Sequence, residues 1–206
     1  GLYVNGLEAQ LQAMSRALET QSGPDQFQQL VDRLRSNPRA LARFLEGSSG
    51  FTYVSVVDAS GAGVRAGVQL PDDAVEGLLR DAWERGLSGE AITSRPVPSA
   101  MKEPVLVISQ PVFAEKTPDG RSQARGVVMA VAGLGRLGGL TQSAAQGGLV
   151  DVYVVDDTGT LVTHSREEGR EGTNLSKLPI VEKFLALRGR ASSTEPFTLS
   201  GPKGER

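Results

Sequence analysis

The chain contains no cysteine and a single histidine, His164. Disulfides, thiol nucleophiles and cysteine-ligated zinc are therefore excluded. One imidazole rules out a histidine-rich metal site and leaves little material for a Ser-His-Asp triad. Lysine and arginine (22) nearly balance aspartate and glutamate (24), for a net charge of −2. A phosphate-tracking nucleic-acid binder needs a clustered excess of basic residues, and none is present. No 18-residue apolar run occurs, so nothing in the sequence reads as a membrane-spanning helix. Aromatic residues are scarce at 5%. Absence of thiols leaves the compartment open but suits an oxidising one. The apolar share of 39% supports a core, and 206 residues allow one large domain or two small ones. Glycine (25) and proline (11) make up about one residue in six, which favours a strand-rich, turn-rich chain. The sequence opens on Gly1-Leu2-Tyr3 without a leader and stops in the polar run Gly201 to Arg206, which reads as a piece of a longer protein.

The first 48 residues carry helical periodicity. Leu7, Leu11, Met14 and Leu18 form one apolar stripe. This stripe is a candidate dimer face or a surface for packing on the chain's own sheet. After the Ser22-Gly23-Pro24 break, Phe27, Leu30, Val31 and Leu34 predict a second helix with Asp25 as its cap. Asn37 caps a third, with Pro38 at its first position and Leu41, Phe44 and Leu45 on one face before Gly47.

The pattern then changes to strands. Phe51 to Asp58, Gly63 to Val68, Ala91 to Val97, Val105 to Phe113 and Gly126 to Ala132 read as five strands. A helix over 71–86 presents Val75, Leu78, Leu79 and Trp83 on one face, and Thr117-Pro118-Asp119-Gly120 is a turn. The order strand, strand, helix, three strands predicts an antiparallel sheet with helices on one face. Val56-Val57-Asp58-Ala59-Ser60-Gly61 returns 98 positions later as Val154-Val155-Asp156-Asp157-Thr158-Gly159, again leading to a short strand and a helix. The helix exits match as well, Arg85-Gly86 before Ala91 to Ser94 and Arg188-Gly189 before Ala191 to Thr194. These echoes predict a duplicated module. The expected organisation is an N-terminal helical stalk (1–48), a first module (49–142), a linker at 143–148, and an incomplete second module (149–206). The expected class is α+β: a long N-terminal helix followed by two antiparallel-sheet modules, the second truncated.

Several motifs carry potential chemistry. Gly133-Leu134-Gly135-Arg136-Leu137-Gly138 follows a β run, opens a helix of about ten residues and precedes a strand ending at Asp156. That layout resembles a dinucleotide-binding loop, in which glycines admit a pyrophosphate at a helix N-terminus. Against it, too little chain follows for a doubly wound domain, and Asp156 is explained by the repeat. His164 could serve as a general base or metal ligand, but reads rather as a lone exposed or packing histidine. The acidic pairs Asp72-Asp73, Asp156-Asp157 and Glu167-Glu168 read as caps and turn residues, and Asp58 and Asp156 as acceptors within their hairpin turns. No GxSxG, HExxH or P-loop occurs, so no enzyme activity is expected within this piece. A ligand pocket is the better expectation. Tyr53 and Trp83 would line it, Arg95 and Lys102 from the loop 94–103 would hold an anion, and Ser99, Ser109 and Gln110 would supply hydrogen bonds.

The run Tyr53 to Gly61 before a helix, the pair Glu103 to Val112 and Arg125 to Val131, and Val152 to His164 with Gly172 to Ser176 together carry a resemblance. With the long N-terminal helix, they make the chain resemble the bacterial extracytoplasmic sensor domains of the double Cache (double PAS-like) family. The resemblance spans almost the whole chain. It implies a periplasmic ligand-sensing region of a transmembrane receptor, binding a small molecule in the membrane-distal first module and feeding a kinase, chemoreceptor, cyclase or phosphatase. It implies no cofactor. Amino-acid-binding members carry an Arg-x-Trp-Tyr motif, whereas Arg80-Asp81-Ala82-Trp83 has a different spacing inside a predicted helix.

Overall fold

The computed structural model describes residues 2–21, 26–48, 50–70, 73–97, 99–100, 103–113, 124–145, 151–165 and 172–186. The chain divides into two compact units, Gly1–Arg136 and Leu137–Arg206.

The first unit is built on one five-stranded antiparallel sheet: β1 (Phe51–Asp58), β2 (Gly63–Gly67), β3 (Ile92–Thr93), β4 (Val105–Phe113) and β5 (Ala124–Gly133), in spatial order β2-β1-β5-β4-β3. Helices α1 (Leu2–Gln21), α2 (Phe27–Ser36) and α3 (Arg39–Gly47) precede it, and α4 (Asp73–Leu87) connects β2 to β3. Every neighbouring pair is antiparallel. The helices cover both faces, which corrects the one-face expectation. The correction follows from strand composition. In β4 and β5 the residues 105–108 and 127–132 are all buried, without the alternation of a half-solvated sheet. Val105, Val107, Val127, Met129 and Val131 pack with Val75, Leu79 and Ala82 of α4. The alternate set, including Leu106, Ile108 and Val128, lies on the opposite face, where α1 packs on β4 and β5 and α2 and α3 pack on β1 and β2.

α1 is therefore part of the first unit. Its stripe is buried at Leu7, Leu11 and Leu18, with Leu11 fully so at 0% exposure, and Met14 half-buried. The stripe that could have faced a second copy is occupied by the chain's own sheet. Polar clasps run along the same helix. The Thr93 hydroxyl donates to Glu8 at 2.6 Å, the Ser15 hydroxyl to the Pro111 carbonyl at 2.6 Å, and the Phe113 N–H to Glu19 at 2.9 Å. β3 pairs with β4 only at Ser109 and Ile108, so the edge of β4 beyond it would be open. Glu19 takes the Phe113 N–H there, closing part of that edge.

Helix and strand ends differ in detail from the sequence expectation. The N-cap of α2 is Gln26, without a side-chain cap bond, while the expected cap Asp25 lies outside the described residues. Pro38 has helical angles and the Asn37 carbonyl accepts the Ala40 N–H at 3.1 Å, so α3 starts one residue later than expected. β3 is two residues long rather than seven, because Pro96 and the bonding of Ser94 take the chain out of the ladder before Val97 bridges Val105. The turn expected at 117–120 lies outside the described residues.

The second unit holds most of α5 (Gly135–Ala144), the hairpin β6 (Tyr153–Val155) and β7 (Leu161–His164), and α6 (Pro179–Ala186). Ser143 and Ala144, expected in the linker, are the last residues of α5. Leu161, Leu175 and Val181 form its core with Val155, Leu178 and Leu185. The repeat is reproduced atom by atom at its two turns. Asp58 Oδ1 accepts the Ser60 N–H (2.8 Å), the Ser60 hydroxyl (2.6 Å) and the Ala62 N–H (3.0 Å). Asp156 Oδ1 accepts the Thr158 N–H (2.8 Å), the Thr158 hydroxyl (2.7 Å) and the Thr160 N–H (2.9 Å). Gly61 and Gly159 follow at φ +85° and +81°, the left-handed conformation that closes both turns. These carboxylates tie turns, as the sequence suggested. The counterpart third strand, expected at 191–194, and Glu167-Glu168 lie outside the described residues.

Candidate ligand cleft on the α4 face

An open site in the first unit lies between the β2 edge, the segment 68–70 and α4. Its volume is about 940 Å³, at the upper end of small-molecule sites. Tyr53 on β1, Arg65 on β2, and Glu76, Leu79 and Arg80 on α4 line it. Register explains the arrangement. The hairpin pairs Ser55 with Arg65 and Tyr53 with Gly67, while β5 pairs Ser55 with Met129 and Tyr53 with Val131, and β4 pairs Met129 with Ser109. One row across the sheet therefore reads Arg65, Ser55, Met129, Ser109, and it lies on the face that packs against α4. Ser55 and Ser109 are 3% and 0% exposed, and neither hydroxyl has a hydrogen-bond partner. Two buried hydroxyls without partners are costly in an otherwise apolar layer, and they lie on the cleft's face of the sheet but not in its lining.

The residues singled out from sequence fall in different places. Tyr53 lines the cleft. Ser109 lies further along the same face. Trp83 packs against the same core, and its indole N–H donates to the Asp58 carbonyl at 3.0 Å, anchoring α4 to the hairpin turn. Arg95 is exposed and Ser99 half-buried in the segment after β3; Lys102 lies outside the described residues. Gln110 is a correction: one position from Ser109 on a strand, it lies on the opposite face, with Val128 and Val56, under the N-terminal helices. Arg65, Glu76 and Arg80 were not singled out. The signal existed in the Asp58–Ala62 turn, which sets the hairpin register and so places Arg65 opposite Ser55.

The glycine motif serves another purpose. The Gly135 N–H, at the start of α5, donates to Glu103 Oε2 at 2.6 Å. A Cβ at Gly133 or Gly135 would overlap that carboxylate. The glycines admit a side-chain carboxylate from the chain itself, which fills the anion position at the helix end. A pyrophosphate would meet this negative charge, which removes the dinucleotide reading. Tyr3 joins the cluster, its hydroxyl donating to the Gly133 carbonyl at 3.3 Å. Burial pushes the Tyr3 phenol up, Arg136 opposes the shift and Glu103 adds to it. Glu103→Gln is expected to destabilise the first unit by about 1 kcal/mol in calorimetric unfolding, and Gly135→Ala to displace the Glu103 carboxylate from the helix end. An unchanged midpoint in both would remove the capping role.

His164 is buried on β7 and stacks on Tyr153 across the hairpin at 4.3 Å, so of the exposed and packing roles the sequence left open it takes the packing one. Among the described residues no group of three or more His, Asp or Glu side chains could hold a metal ion, and no helix is long and apolar enough to cross a membrane.

No family model matches the chain, and no curated protein matches it. Solved structures do. The chain is similar to the ligand-binding domain of the Pseudomonas aeruginosa PAO1 amino-acid chemoreceptor PctC in complex with GABA, with TM-score 0.59 and 16% identity over 97% of this chain and 80% of that one. It is similar to the extracellular domain of a protein described as a histidine kinase, mmHK1S-Z2, with TM-score 0.53 and 14% identity over 98% and 84%. The ligand-binding domain of the PAO1 chemoreceptor PctB in complex with L-Arg aligns with TM-score 0.52 and 19% identity over 85% and 68%. The chain thus has the α+β fold of extracellular ligand-binding sensor domains of chemoreceptors and histidine kinases.

Proposed function

We propose that this chain is the extracytoplasmic sensing region of a bacterial transmembrane receptor, and that it binds a small molecule without transforming it. The observation that carries this reading is the cleft on the α4 face of the first sheet, within a fold whose solved examples hold amino acids and GABA. Tyr53 and Ser109 belong to the ligand-facing side of the sheet, with Trp83 fixing α4 over it. Arg95, Ser99 and Lys102 belong to the segment that borders the same module. The relay runs through α1. A ligand favours one of two sheet arrangements by its differential affinity, and the clasps at Glu8, Ser15 and Glu19 carry a sheet displacement to the helix. A screen of organic acids, amines, sugars and nucleotides tests the reading. Trp83, the only tryptophan, reports unfolding of the first unit. A small organic compound is expected to raise that midpoint. Stabilisation by NAD or FAD alone, or no response across the panel, contradicts the reading.

A further inference from the structure

We infer that the cleft takes an anionic ligand, a small molecule carrying a carboxylate or phosphate group held between Arg65 of β2 and Arg80 of α4. This rests on the sensing function proposed above and names the chemistry of its ligand. Three observations carry it. First, both arginines line the same cleft, one from β2 and one from α4. Second, among the described residues neither makes an ion pair or hydrogen bond, although partners are at hand in the sequence. Glu76 stands four residues before Arg80 on α4, the spacing at which such pairs usually form, and yet no bond joins them. Among the described residues, some other arginines of this unit are paired and some, Arg43 among them, are not. Arg85 bonds Glu90 at 2.9 Å and approaches Asp81 at 3.6 Å, and Arg35 bonds Asp32 at 3.0 Å. Third, Arg65 stands directly across the strand pair from Ser55, whose buried hydroxyl has no partner.

Among the described residues the charge balance of the lining favours an anion, with two arginines against the one carboxylate of Glu76. Arginine presents a planar fork that binds carboxylate and phosphate oxygens in pairs, and such bonds are the strong ones. Tyr53 adds a phenolic hydroxyl to the same cleft, and Leu79 and Leu70 supply apolar surface for a short carbon chain. An anion bonded to both arginines links α4 to β2. Binding thereby acts on the one helix that covers this face of the sheet.

Calorimetric titration and Trp83-monitored thermal shift test the inference on the whole chain. The probes are acetate, succinate, inorganic phosphate and glycerol 3-phosphate as anions, glucose as a neutral compound and putrescine as a cation, each at low and at 0.5 M salt. At least one anion is expected to bind, and more weakly at high salt. Arg65→Gln and Arg80→Gln are each expected to weaken that binding about 10-fold or more. Arg43→Gln, on the exposed side of α3, is expected to leave it unchanged. Carboxylate-only binding assigns an organic acid, and binding by both phosphates assigns a phosphate group. Binding of glucose or putrescine alone overturns the anion assignment while leaving the sensing function standing. Anion binding that survives both cleft variants and is lost in Arg95→Gln also overturns it, placing the anion at the segment after β3. Absence of any anion binding overturns it as well.

Discussion

Leu11→Ala is expected to destabilise the first unit by about 2–5 kcal/mol, the range for removing a fully buried leucine side chain. Leu11 is completely buried where α1 crosses the sheet, with Leu7 and Leu18 to either side. The cavity would open between the helix and the all-apolar face of β4 and β5, whose tightly filled strands have little freedom to close it. Loss of Trp83 fluorescence in urea isolates this unit. Met14→Ala, at a half-buried position on the same helix, is expected to cost markedly less. The comparison bears on signalling. A helix bonded to its own sheet by this much free energy moves with the sheet, which is what a relay through α1 needs. Were α1 a free stalk with a dimer face, Leu11→Ala would leave the midpoint in place and change only the association state.

The second large effect is expected at Asp58. Its carboxylate accepts three hydrogen bonds through one oxygen and is 4% exposed. Asp58→Ala strands two backbone N–H groups and a hydroxyl in a tight turn, at roughly 2–4 kcal/mol. The same turn holds the Trp83 indole through the Asp58 carbonyl, so the fluorescence maximum should shift to the red even in the folded protein. Asp156→Ala breaks the matching bonds in the second hairpin. Asp156 is half-buried, so solvent can replace the lost acceptor and the cost is smaller. Equal and negligible costs at both sites would mean that the repeated turn is an echo of sequence without a stabilising role.

Much of this architecture is legible in the sequence because it depends on local pattern. The helical stripe of α1, the apolar run that opens β4, and the Asp-x-Ser/Thr-Gly turns each announce themselves within a dozen residues. What the sequence leaves open depends on pairing. The stripe of α1 looks the same whether it meets a second copy or β4, and only the tertiary fold decides. Ser109 and Gln110 are neighbours in sequence and look like one polar cluster, yet a strand sends them to opposite faces. Arg65 and Arg80 lie 15 positions apart in unremarkable contexts. They meet only because the β1–β2 hairpin register and the return of α4 bring them to one cleft. The role of the glycine motif is hidden for a related reason: its partner, Glu103, lies 30 positions upstream of Gly133, and no local pattern connects them.

The most direct test of the central claim, that the first sheet module senses a small molecule in the α4 cleft, is residue-resolved amide exchange with and without a compound that raises the Trp83 midpoint. Protection is expected to rise in β1, β2, residues 68–70 and α4, with a weaker change along α1 where it is clasped to β3 and β4. Protection confined to the Gly133–Gly138 loop or to the second unit, with the α4 face unchanged, would contradict the account.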